Sequence, residues 1–265
     1  MSQALYKREM KGSVKLLVIF GAVITLYVPI IITMYDPKLM AMLDSFVAFM
    51  PGLMSAVGMT AGATTLLGFM ISYLYGFILL VFPMVYSILR ANGLVSRYVD
   101  RGSMVPLLAA PVKRRTVAVT QGLVLVSGIV ILLIFSTALE IVCAAVAFPG
   151  ELSVADVIRL NGGLLCLHLC LGGICFLSSC AFSDARYSTG VGAGVPVLMY
   201  VLQMLANMGG AGEKAKYITL FSLYDPTGLA AGDTAAVLGS AVLLALAAGL
   251  YVLAVVIFSK KDLHI

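Results

Sequence analysis

Six long apolar runs, at residues 15–33, 61–89, 116–148, 154–182, 190–207 and 234–258, leave this chain of 265 residues few ways to fold. A hydrocarbon layer about 30 Å thick is crossed by about 20 apolar residues of helix rising about 1.5 Å each. Every run is apolar on all faces and longer than the roughly 9 to 11 alternating residues of a membrane barrel strand, which predicts α-helices. With 62% hydrophobic and 11% charged residues, against roughly a quarter charged in soluble domains, little is left for a separate soluble unit. The expected fold is an all-α membrane protein, a single transmembrane domain over 1–265.

Basic residues in short loops stay on the cytoplasmic side. With the N-terminus inside, six spans return the C-terminus inside, and 13 of the 17 lysines and arginines fall there. Only Lys38, Arg159, Lys214 and Lys216 fall outside. The net charge of +5 then reflects orientation and contact with anionic lipid, and calls for no nucleic-acid partner. The first run exceeds the apolar core of a secretory signal, and "VPIIITMYDP" follows it in place of a small-residue cleavage site. It is therefore read as an uncleaved span.

Residues 1–14 mix Leu5, Tyr6 and Met10 with Lys7, Arg8, Glu9 and Lys11, which suits a short helix in the inner headgroup layer or a frayed charged tail. Outside, 34–60 is too apolar for a free loop and is expected on the outer mouth of the bundle. Residues 208–233, a glycine-rich break followed by "ITLFSLYDPTGLAAGD", fit a segment that enters and leaves the outer leaflet, its irregular backbone covered by protein.

Few side chains carry chemistry. "GGAGEKA" lacks the spacing of a phosphate loop, so the chain is expected to hydrolyse no ATP by itself. His168 falls near the bilayer midplane, where an ionisable group is either functional or a neutral imidazole bonded to a neighbouring helix. Cys166 and Cys170 share a face opposite His168, which argues against a metal site, and no catalytic group partners the histidine. The five cysteines lie inside spans and imply no disulfides. Glu140, Gln203 and Asn207 are placed near the outer boundary, lining an exit path together with His168 or facing headgroups. Asp156 and Arg159, at i and i+3, are expected to pair. Gly58 with Gly62, and Gly190 with Gly194, permit close helix approach, and Pro83 and Pro196 can kink their spans.

The inner loop over 90–115 is the most specific stretch. Asp100, Arg101 and Gly102 lead into "SMVPLLAAPVKRR", and the third span follows at once. This resembles the permease subunits of type-2 ABC (ATP-binding cassette) exporters, the six-span bacterial group that includes sodium, drug and peptide exporters. There the loop commonly reads Glu-Arg-Gly-Thr-Leu-Glu, a leucine run, then Pro-Val-Ser-Arg. Arg101, Gly102, Leu107, Leu108, Pro111, Val112 and Arg114 fit that pattern, with Asp100 for the usual glutamate, Ser103 for threonine and Lys113 for serine. Pro106 departs from it, since the family makes that segment helical. "FSLYDPTGLAAGD", with Asp225 and Pro226, and the closing Phe258, Lys260, Lys261, Asp262 and Leu263 are similar to the family's outer segment and ending.

The resemblance implies a permease homodimer carrying two separate ATP-binding subunits, which hold the ATP and magnesium. It also implies a bacterial inner membrane location and a loop that transmits ATPase closure to the spans. This chain itself would hold no cofactor. Cargo would be hydrophobic, peptide, drug or ion. Two other readings stay open: a substrate-binding membrane subunit of an importer, and a proton-coupled secondary transporter hinging on His168.

Overall fold

The computed structural model describes residues 2–36, 45, 47, 49–59, 64–96, 98 and 113–261. It holds six helices long and apolar enough to cross a membrane, and no strand among the described residues. These are α1 (Gln3–Thr33), α3 (Leu66–Leu94), α4 (Arg114–Ala147), α5 (Val154–Ala181), α6 (Ala185–Asn207) and α8 (Thr234–Lys260). Short α2 (Pro51–Ala56) and α7 (Pro226–Ala231), with 3-10 turns at Gly210–Tyr217 and Leu220–Leu223, lie at the end of the bundle away from the N-terminus. The chain is a multi-pass membrane protein built of helices alone among its described residues.

Residues 3–14 differ from the expected separate surface helix: they continue the first span unbroken. The reason lies in the spacing of α1's buried face. Leu5, Glu9 and Ser13 point into the bundle, and seven residues on, two helical turns, Phe20, Ile24, Val28 and Ile32 continue the stripe. Helix α1 lies along α4, and Glu9 and Phe20 of the stripe meet Arg90, Phe82 and Tyr86 of α3.

Helix α5 sits at the centre and touches α3, α4, α6, α7 and α8. Glycines make this crowding possible, because a Cβ on Gly172 or Gly173 would press on Ile129, Leu250 or Tyr251. Gly128 of α4 leaves the space that the Tyr86 hydroxyl fills. The expected pair Gly190 and Gly194 does no such packing among the described residues, since a Cβ on either would meet none of their atoms within 4 Å. Gly58 does approach another backbone, but its neighbour is Gly76 of α3, and Gly62 lies outside the described residues.

Helix α3 carries the main irregularity. Ile71–Ile78 winds as a π-helix, and Pro83 interrupts the hydrogen-bond ladder one turn later. At the far end, the Asp225 side chain accepts from the Gly228 amide while Pro226 takes the first helical position, so the "DP" pair starts α7. Phe221, Tyr224 and Leu229 are buried against the spans, which seats 208–233 on the bundle. The Asp156–Arg159 ion pair forms as expected. All five cysteines are free.

Candidate functional site: polar ties at three depths

Polar side chains inside an apolar bundle must find partners in it, because water is not there to satisfy them. Three groups of them lie along α3.

Nearest the end distal to the N-terminus, Glu140 is fully buried. It lies seven residues before the end of α4 at Ala147, and Asn161 lies seven residues after the start of α5 at Val154, so the two share a depth. Ser136 Oγ donates to Glu140 Oε1 at 2.9 Å, one turn earlier on the same helix. Asn161 Nδ2 donates to Glu140 Oε2 at 3.1 Å and to Tyr75 Oη at 2.6 Å. The Tyr75 hydroxyl, from the π stretch of α3, donates to Glu140 Oε2 in turn. Tyr224 approaches the carboxyl from the segment 208–233, and its hydroxyl is buried without a hydrogen bond among the described residues. The carboxyl accepts from three helices and ion-pairs with no lysine or arginine among the described residues. Glu140 thus faces the bundle interior and not the headgroups.

Halfway along α5, His168 Nε2 lies 2.8 Å from the carbonyl oxygen of Leu79. Proline has no N–H, so Pro83 leaves the carbonyl four residues earlier without its helical donor. That carbonyl is Leu79's. His168 supplies the missing donor, which fixes the proton on Nε2. Nδ1 is buried with no partner among the described residues.

At the N-terminal end, Glu9 of α1 and Arg90 of α3 form a buried ion pair at 3.0 Å. The Arg90 guanidinium also donates to the Glu9 carbonyl at 2.6 Å, and Tyr98 Oη donates to Glu9 Oε1 at 2.6 Å. Burial first, and the adjacent Glu9 carboxylate second, raise the Tyr98 phenol above its ordinary value, so it remains a donor at neutral pH. Arg114, at the start of α4, donates to the Lys261 carbonyl at 2.9 Å. Lys261 Nζ donates to the Ala181 carbonyl at 2.9 Å and so caps the end of α5. Burial pulls Lys261 below the ordinary lysine value.

The four residues expected to line one path do not converge. Gln203 Nε2 donates to Asn207 Oδ1 at 2.9 Å, and Asn207 Nδ2 reaches the Ala56 carbonyl at 3.4 Å, a surface contact apart from Glu140 and His168. Asp100, Arg101, Gly102, Leu107, Leu108 and Pro111, together with Pro106, lie outside the described residues, which leaves Arg114 as the described member of the expected coupling set. Sequence reasoning missed Tyr75, Ser136, Asn161, Tyr224 and the Glu9–Arg90 pair. Ser136 was within reach of it, being four residues from Glu140 on one helical face. The others meet only through contacts between helices. Among the described residues, no cluster of three histidine, cysteine or acidic side chains could hold a metal ion. No family model matches the chain, nor does any curated protein or solved structure.

Proposed function

We propose that this chain is the membrane-spanning subunit of an ATP-driven exporter, working as a homodimer in a bacterial inner membrane with its termini in the cytoplasm and a separate ATP-binding cassette subunit as its motor. The motif resemblance supports this reading. One structural observation carries it: both ends of the inner loop are fastened to spans. Tyr98 ties the loop's start to Glu9 of α1, and Arg114 ties its end to the residue after α8. A loop held at both ends passes a push to α1 and α3 on one side and to α4 and α8 on the other. Helix α3 then leads from the loop to Glu140.

The test is assembly. Purified from native membranes, the chain should bring down an ATP-binding cassette subunit in equal number, and the complex should hydrolyse ATP while this chain alone does not. Deleting 103–110 should leave the protein inserted but strip it of the ATPase. Normal ATPase binding and export after that deletion would refute the coupling role.

A second reading has one observation in its favour. A buried carboxyl with no cationic partner among the described residues is the kind of group that holds a proton or a small cation inside a membrane. On that reading the chain is an ion-coupled secondary transporter, with Glu140 in the role first considered for His168.

A further inference from the structure

The cavity between α4 and α8 has no part in the proposed function. Its volume is about 530 Å³, and Phe176 of α5 and Tyr251 of α8 form its floor, their rings 5.6 Å apart. Gly122 keeps that floor low, since a Cβ there would sit 3.3 Å from the Phe176 ring. The walls are valines and Leu123. Arg115, Ser259 and Lys260 stand at the mouth. Neither cation has a carboxylate partner among the described residues.

Length identifies what fits. From Arg115 to Val126, the lining residues of α4 at either end, the helix rises about 16 Å. The matching stretch of α8, from Tyr251 to Lys260, rises about 14 Å. Each is about half of a hydrocarbon layer roughly 30 Å thick, the depth of one leaflet. A helix from a second copy would continue through the other half, whereas an acyl chain ends there. The mouth carries two cations, which suits a phosphate, and basic pockets between spans are places where anionic headgroups bind.

We propose that this groove is a site for one anionic phospholipid. Its phosphate rests on Arg115 and Lys260, and one acyl chain lies over Phe176 and Tyr251.

The chain contains no tryptophan, so Leu123→Trp places a single reporter in the groove wall. The full chain is reconstituted in bilayers containing brominated phosphatidylglycerol or brominated phosphatidylcholine, and quenching of the introduced indole gives the relative affinity. Phosphatidylglycerol should be favoured on the order of tenfold. Raising the salt from 0.1 to 1 M should shrink that preference, because the screening length falls from about 10 Å to about 3 Å. Arg115→Gln with Lys260→Gln should abolish it, and Arg115→Lys with Lys260→Arg should preserve it. The control is Leu89→Trp, on an exposed position beside Arg90, whose charge Glu9 neutralises. It should show no preference. Equal quenching by the two lipids, quenching by neither, or the same preference at position 89 would overturn the site. If the glutamine pair does not insert, the lipid and salt comparisons in the Leu123→Trp protein alone decide the question.

Discussion

His168 matters for the proton it donates. A histidine at mid-membrane invites a transport role, yet its Nε2 faces a carbonyl that Pro83 has stripped of its helical donor. Two residues that look independent in the sequence form one unit, and that makes a prediction with a built-in control. His168→Leu leaves the Leu79 carbonyl unsatisfied and should lower stability in detergent by about 1 to 3 kcal/mol. Pro83→Ala restores a backbone N–H at the position that serves Leu79, so in that background the same His168→Leu change should cost well under 1 kcal/mol. Thermal denaturation of the four proteins measures the coupling. Equal costs in both backgrounds would show that the bond to Leu79 contributes nothing, and that His168 acts through something else.

At the scale of an element, α3 combines a π stretch, a proline and a close backbone contact, and its packing overrides its local propensities. Gly76 lies in the π stretch, where a Cβ would run into the Val57 carbonyl and the Gly58 backbone. Gly58 itself has a φ of 79°, in the left-handed region that glycine favours. Helix propensity alone says that Gly76→Ala gains about 0.5 to 1 kcal/mol, whereas the contact says that it loses about 1 to 3 kcal/mol. Gly249→Ala in α8 is the matched comparison, because no atom of the described residues lies within 4 Å of a Cβ there. Thermal melts should move in opposite directions, down for Gly76→Ala and up for Gly249→Ala. A gain for both would mean that the contact between the two glycine backbones is not tight. The same contrast explains what the sequence could reveal. The six spans were legible because length and apolarity are local properties, and the observed helices match the expected runs within a few residues at most ends. The continuation of α1 through residues 3–14 was hidden because charged residues interrupt its apolar face. Asn161 and Tyr75 were hidden because their importance lies in pairing with Glu140, across two helix interfaces that no spacing rule encodes.

Across the whole molecule, the polar ties make α3 and α5 a connected pair. Asn161 meets Tyr75, His168 meets Leu79, and Ser179 Oγ donates to the Ala91 carbonyl at 2.9 Å. The loop after α3 continues directly from that helix, so a displacement that begins at Arg90 has a bonded route, by way of the proline and the π stretch, to Tyr75 and the Glu140 carboxyl. Two substitutions separate the structural part of that carboxyl from the ionic part. Glu140→Leu removes the acceptor for Ser136, Asn161 and Tyr75 together and should destabilise by about 2 to 4 kcal/mol. Glu140→Gln keeps an acceptor in the same place, so the fold should hold to within about 1 kcal/mol while the ionisable group is lost. Flux in liposomes then discriminates between the two transport readings. If an ion gradient drives cargo without any ATPase, Glu140→Gln should abolish that flux and His168→Asn should spare it. If export requires the ATP-binding partner, no gradient-driven flux appears in either protein, and the carboxyl serves as the polar hinge on which α3, α4 and α5 are held together.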